Sequence, residues 1–179
     1  TVGVFSFDGA DTSATDVDII GGLNYVAELK NSGVNIRAAN MSIESSRPQN
    51  VDVTPFAEAL KAASEAGTNG ILFCLAAGND EINLDLSEKK VYPGAFRLPN
   101  TLTVGASTSA DKSIYNYSPM GLWVDVAAPG YEVFSTCRIQ PLSEYTEKYQ
   151  LVDASGYKYS NGTSMATPYV TGAAALLAS

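Results

Sequence analysis

The stretch GILFCLAAG, Gly70 to Gly78, limits the fold more than any other part of this chain. A continuous apolar run of strand length suits a β-strand covered on both faces. Such strands belong to parallel sheets whose crossovers place helices on each side. The flanking sequence supplies those helices. Ile19, Ile20, Leu23, Val26 and Ala27 recur at helical spacing between Thr15 and Lys30, and Gly33 suits the exit. Thr54-Pro55 reads as an N-cap followed by proline at the first helical position; Phe56, Leu60 and Ala63 form one face, and Gly67 ends the helix.

TVGVFSF (Thr1 to Phe7), Val34 to Ile43 and NTLTVGAS (Asn100 to Ser107) read as further strands, and SSRPQNVDV between them as a polar loop. The polar, tyrosine-rich stretch from Arg138 to Gly162 reads as a long hairpin or surface loop. After Thr163 the chain is apolar almost all round, which predicts a helix buried in the core. Strands alternating with helices of this length make βαβ units with right-handed crossovers. The expected fold class is therefore α/β: three layers, α/β/α, around a mainly parallel sheet.

The chain has 179 residues, enough for one domain with a sizeable core. Eleven basic and nineteen acidic residues give a net charge of −8, which argues against nucleic acid or an anionic membrane as partner. No apolar run reaches membrane-spanning length, and the first residues lack the pattern of a signal peptide. Two cysteines, Cys74 and Cys137, cannot form a disulfide framework or a zinc site alone; Cys74, inside the apolar run, reads as a buried inert thiol.

Ligands of open α/β sheets bind beyond the carboxyl ends of the strands. Asn79 follows Gly78 at one such end, and Ser164 opens the last helix within GTSMATP, Gly162 to Pro168. A serine at a helix start has the positive end of the dipole beneath it and free backbone N–H groups beside it. Those groups favour an oxyanion, and an asparagine amide reaching the same point would add a second donor. Each residue alone has a plainer reading, the serine as an N-cap and the asparagine as a turn residue. A serine nucleophile also needs a base, and the chain contains no histidine.

NGTSMATPYVTGAAALL, with CLAAGND upstream and YPGAF, LTVGAS and DVAAPG between them, strongly resembles the subtilisin-like serine peptidases. The resemblance runs in order through nearly the whole chain. By position it implies that Ser164 is the nucleophile and Asn79 the side-chain donor of the oxyanion hole. It implies substrate contact along Ser42, Ile43, Glu44, Ala76, Ala77, Gly78, Val91, Gly162 and Thr163. In the family, the strand matching NMSIESS presents its edge to the peptide, which adds as an extra strand.

Small or glycine residues are common after that serine, whereas Ile43 and Glu44 stand here. Glu44 is either a solvated carboxylate or a group favouring a basic side chain near the scissile bond. Val91, before YPG, matches a lining residue of the main specificity pocket. Tyr169 stands where a non-catalytic histidine is common. Calcium is frequent among relatives, but no ligand cluster stands out, and no cofactor is expected. The glycosylation patterns at Asn40, Asn116 and Asn161 read as chance matches.

The family orders its triad Asp, His, Ser. The opening TVGVFSFDGADTS resembles the segment that follows the histidine, and none of Asp8, Asp11, Asp16 or Asp18 sits in the family's aspartate motif. Residues 1–179 are therefore expected to be the C-terminal part of a catalytic domain, incomplete on its N-terminal side. A missing segment or a second chain would supply Asp, His and a central strand. Alone, the chain should be inactive; subtilisin itself loses about 10⁶-fold in turnover without its serine or histidine.

The family's strand order, 2-3-1-4-5-6-7, adds a structural expectation. If Thr1 to Phe7 matches strand 3 and Val34 to Ile43 matches strand 4, a slot of about 10 Å separates them. The expected partner is a polypeptide substrate, and secretion is the compartment the resemblance points to, though the sequence itself leaves it open. Two other readings stay open: an acid peptidase class that replaces histidine with Glu and Asp, against which Asn79 and SMATP count, and a non-catalytic relative that keeps the fold.

Overall fold

In a computed structural model, the structure describes residues 14–48, 50–80, 83, 85–108, 116–137, 139 and 153–179. In chain order the elements are α1 (Asp16–Asn31), β1 (Ala38–Met41), β2 (Ser45–Pro48), α2 (Thr54–Ser64), β3 (Leu72–Ala76), β4 (Lys89–Tyr92), β5 (Thr101–Ser107), β6 (Val126–Pro129), β7 (Val133–Thr136), β8 (Tyr157–Ser160) and α3 (Thr163–Leu177).

Helix α1 begins with a reciprocal cap: Thr15 Oγ1 accepts from the Asp18 N–H, and an Asp18 carboxylate oxygen accepts from the Thr15 N–H. It ends at Ser32, and Gly33 follows at φ 97°, the left-handed exit expected from the sequence. Helix α2 starts differently from the reading above. Val53 holds the N-cap position, and the Asp52 carboxylate, not the Thr54 hydroxyl, accepts the Thr54 N–H at 2.9 Å.

The apolar run becomes β3, the second strand of a four-stranded sheet in the order β1-β3-β5-β6, all neighbours parallel. Its side chains alternate as a pleated strand dictates. Phe73 and Leu75 pack with Leu23 of α1, Met41 of β1, Phe56, Leu60 and Ala63 of α2, and Ile71. Cys74 faces the other way and packs with Val104, Ala106, Ala128 and Ala166 of α3. Helices therefore cover both faces, as an apolar strand without polar alternation requires, and the α/β/α expectation holds. Leu60 has no exposed surface, so truncation to alanine is expected to cost about 2–5 kcal/mol.

Three readings are corrected. The polar loop contains β2, which pairs antiparallel with β4, Ser45 opposite Tyr92 and Ser46 opposite Val91. Four residues without apolar alternation give no strand signal; the partner imposes the conformation. The strand predicted over Val34 to Ile43 shortens to Ala38–Met41. Helix α3 is buried only at its start. Ala166 and Val170 pack on the sheet, whereas Leu176 and Leu177 are 77% and 89% exposed. Apolar composition makes burial favourable, but a helix is buried only as far as other elements extend beside it.

The polar stretch before α3 contributes β8, antiparallel to β7, in keeping with the hairpin reading. The strand expected over Thr1 to Phe7 lies outside the described residues, so the slot beside it does too. Among the described residues, β1 pairs only with β3 and forms an edge.

Candidate active site

Because β1 and β3 are parallel neighbours, their carboxyl ends lie side by side. The segments leaving them, Ser42 to Glu44 and Ala77 to Asn79, meet the first turn of α3. This is where the fold brings together residues far apart in the chain.

Thr163 joins these parts. Its fully buried hydroxyl donates to the Gly78 carbonyl at 2.9 Å and accepts from the Gly78 N–H at 3.2 Å. Its own N–H donates to Asn79 Oδ1 at 3.0 Å. That bond fixes which end of the Asn79 carboxamide is which: the oxygen is held by the helix, and Nδ2 points away as a donor. Gly162, the N-cap of α3, has φ 132° and lies so close to Asn79 that a Cβ there would stand 2.8 Å from Asn79 Oδ1. Only glycine fits both conditions.

Ser164 is the second residue of α3 and half-buried. Its N–H lies in the first turn, ahead of any i−4 carbonyl within the helix, and the helix dipole runs beneath it. Its Oγ approaches the Ser42 carbonyl at 3.5 Å, a marginal hydrogen bond. The stronger link runs the other way. Pro168 sits inside α3 and has no N–H, so the Ser164 carbonyl lacks its usual i+4 donor. The Ser42 hydroxyl donates to that carbonyl at 2.8 Å, while Asn40 Nδ2 donates to Ser42 Oγ at 2.9 Å.

Glu44 lies on the other side of Asn79, whose Nδ2 donates to Glu44 Oε2 at 3.0 Å. The same carboxylate oxygen stands 3.2 Å from where a Gly78 Cβ would project, and Val91 Cγ1 stands 2.7 Å from it. Gly78 has φ 104°, so it too is restricted to glycine. Glu44 is exposed as a residue, yet its carboxyl end lies against this wall. Desolvation raises its pKa above the ordinary value, with Asp80 adding repulsion and the Asn79 amide partly offsetting both.

The structure thus brings Ser42, Glu44, Gly78, Asn79, Val91, Gly162, Thr163 and Ser164 into one site. It does not place the rest at its surface. Ile43 packs against the core under α1 and α2. Ala76 and Ala77 are fully buried, and Ala77 N–H continues the sheet by donating to the Val104 carbonyl. Tyr169 is exposed on α3. Cys74 is buried with its pKa raised by desolvation, which suits an inert thiol.

Sequence reasoning missed Gly130 and Asn40. The Gly130 carbonyl accepts the Gly162 N–H at 2.8 Å, and a Cβ on Gly130 would stand 2.6 Å from Ala106 Cβ and 2.7 Å from the Gly162 carbonyl oxygen. DVAAPG carried the signal, as a glycine directly after an apolar segment. Asn40, read only as a chance glycosylation match, supports Ser42. Among the described residues, no three His, Cys, Asp or Glu side chains gather where they could hold a metal ion. No helix among them is long and apolar enough to cross a membrane.

Residues 1–179 match the subtilase family, peptidase S8. A cuticle-degrading serine protease of Arthrobotrys oligospora is 35% identical over 167 residues, covering 93% of this chain and 33% of that protein. Subtilisin BL of Lederbergia lenta is 32% identical over 169 residues, 94% of this chain and 50% of the relative. Among solved structures, a cold adapted subtilisin-like serine proteinase superposes with a TM-score of 0.68 at 31% identity, covering 98% of this chain and 51% of that one. A lanthipeptide protease shares the fold with a TM-score of 0.71 at 24% identity, over 97% of this chain and 53% of its own. The chain spans between a third and about half of the length of these proteins.

Proposed function

The chain belongs to the subtilase family, and we propose that it carries the nucleophile and the oxyanion hole of a serine endopeptidase whose complete catalytic domain hydrolyses polypeptides by acyl transfer. The observation that carries this reading is the Asn79 carboxamide, held through Oδ1 by the N–H of Thr163, the residue before Ser164, so that Nδ2 is its donor end.

In this mechanism Ser164 Oγ attacks the scissile carbonyl carbon and its proton passes to a base. The carbonyl oxygen gains the negative charge and is held by Asn79 Nδ2 and the Ser164 N–H. Collapse expels the amine, which takes up the proton, and water then releases the acyl group by the same steps in reverse. The chain has no histidine, so in this reading the base and its aspartate come from residues outside it, and the chain alone is inactive. The unpaired edge of β1 among the described residues and the exposed apolar end of α3 support a further segment, or a second chain, packing there and adding a central strand.

A fluorophosphonate probe on the complete protein tests the assignment. Labelling at Ser164 that disappears in Ser164→Ala is expected. Asn79→Ala should lower turnover by about 10²–10³-fold, the range seen when subtilisin loses its own oxyanion asparagine. A folded complete protein that is never labelled at Ser164 would instead be a non-catalytic member of the family.

A further inference from the structure

The oxyanion donor is occupied. Asn79 Nδ2 donates to the Glu44 carboxylate at 3.0 Å, and Oδ1 is anchored to Thr163, so the amide cannot swing away from Glu44 without breaking that second bond. A carboxylate is itself an anion, and it competes for the donor that a tetrahedral intermediate needs. An ionised Glu44 left in place would also repel the developing oxyanion at close range. For the reaction reasoned above, Glu44 must move or be neutralised.

The surroundings indicate what could move it. The Glu44 carboxylate rests over Gly78 beside Val91, on the wall that follows β3 into the site. Among the described residues, its side-chain partner is Asn79, and the nearby charge acting on it is that of Asp80, also negative. A cationic side chain entering over Gly78 would find a desolvated carboxylate with no described counter-ion. In a bond to an ammonium or guanidinium both partners are ionised, whereas the Asn79 amide offers the carboxylate only a dipole.

Resting on the peptidase reading, we propose that Glu44 is a gate on the oxyanion hole: it holds Asn79 Nδ2 in the resting site and releases it when a substrate places a lysine or arginine side chain, immediately before the scissile bond, against the Glu44 carboxylate. Recognition of the basic residue and assembly of the oxyanion hole are then one event. Binding energy of the side chain appears in turnover, because the donor becomes available only when the cation is bound.

This differs from simple charge recognition in what happens to neutral substrates. A passive acidic pocket leaves them untouched when it is removed, whereas a gate obstructs them while it is present. The test compares paired peptide substrates carrying lysine or its neutral isostere norleucine before the scissile bond, using the complete protein with Glu44 intact, Glu44→Gln and Glu44→Ala. Glu44→Ala is expected to lower kcat/KM for the lysine substrate and to raise kcat for the norleucine substrate by about tenfold, the scale of one charge-assisted hydrogen bond. Glu44→Gln, which keeps an acceptor for Asn79 without the charge, should fall between.

The fluorophosphonate probe gives a second readout, since it is neutral and its phosphonyl oxygen needs the same donors. It should label Ser164 faster in Glu44→Ala than in the parent. Unchanged or slower norleucine turnover and unchanged labelling in Glu44→Ala would overturn the gate while leaving the peptidase reading standing. Absence of labelling in every form, the parent included, would overturn the peptidase reading and the gate with it.

Discussion

Ser42 and Ser164, 122 positions apart, hold each other at two points: the Ser42 hydroxyl donates to the Ser164 carbonyl at 2.8 Å, and the Ser42 carbonyl lies 3.5 Å from Ser164 Oγ. Pro168 makes the first contact possible by withholding the N–H that would otherwise take the Ser164 carbonyl. Ser42→Ala leaves that carbonyl without its donor in a half-buried position. The expected loss is about 1 kcal/mol of stability, read as a lower midpoint in urea unfolding of the complete protein, together with slower labelling of Ser164. An unchanged midpoint and labelling rate would mean that the bond positions nothing.

Thr163 should be less tolerant. Thr163→Val removes both the donor to the Gly78 carbonyl and the acceptor for the Gly78 N–H in a fully buried setting. Each orphaned backbone group costs about 1–3 kcal/mol. Thr163→Ser keeps the hydroxyl and should retain most of the stability, so the difference between the two variants in thermal unfolding isolates the hydroxyl from the methyl group.

Gly162→Ala tests the close approach to Asn79. An added Cβ would meet Asn79 Oδ1 at 2.8 Å and would force a non-glycine residue to φ 132°. Backbone strain of this kind costs on the order of 1–3 kcal/mol. The larger effect is expected on the labelling rate of Ser164, because Asn79 is the group pushed aside. A variant with normal labelling kinetics would show that Asn79 tolerates the shift.

Glu44 predicts a pH dependence of stability. Its carboxyl pKa in the folded protein lies above the ordinary value of 4.5, mainly through desolvation, with Asp80 adding to the rise and the Asn79 amide opposing it. A raised carboxyl pKa means the folded state holds the proton more tightly than the unfolded chain. The stability from this group is therefore full below the ordinary value and is lost as pH rises through the folded pKa. Glu44→Gln removes that loss. Its melting temperature relative to the parent should increase from acid to neutral pH, and a difference that stays flat across this window would contradict the partial desolvation of the carboxylate.

The sequence by itself determined the parts whose cause is local. The apolar run at Gly70 to Gly78 had to be a strand covered on both faces, the helical spacing from Ile19 to Ala27 had to give α1, and Gly33 marked a helix end. GTSMATP and CLAAGND pointed to Ser164 and Asn79 through the resemblance to the subtilisin-like peptidases, with a helix N-terminus and a strand end as the physical ground. Only tertiary structure decided the rest. β2 is a strand because β4 lies beside it, and the end of α3 is exposed because no described element covers it. Asn79 is oriented by a group 84 positions away and occupied by one 35 positions away. Periodicity and turn chemistry act over a few residues, whereas the partner of a side chain is fixed by which strands are neighbours in the sheet.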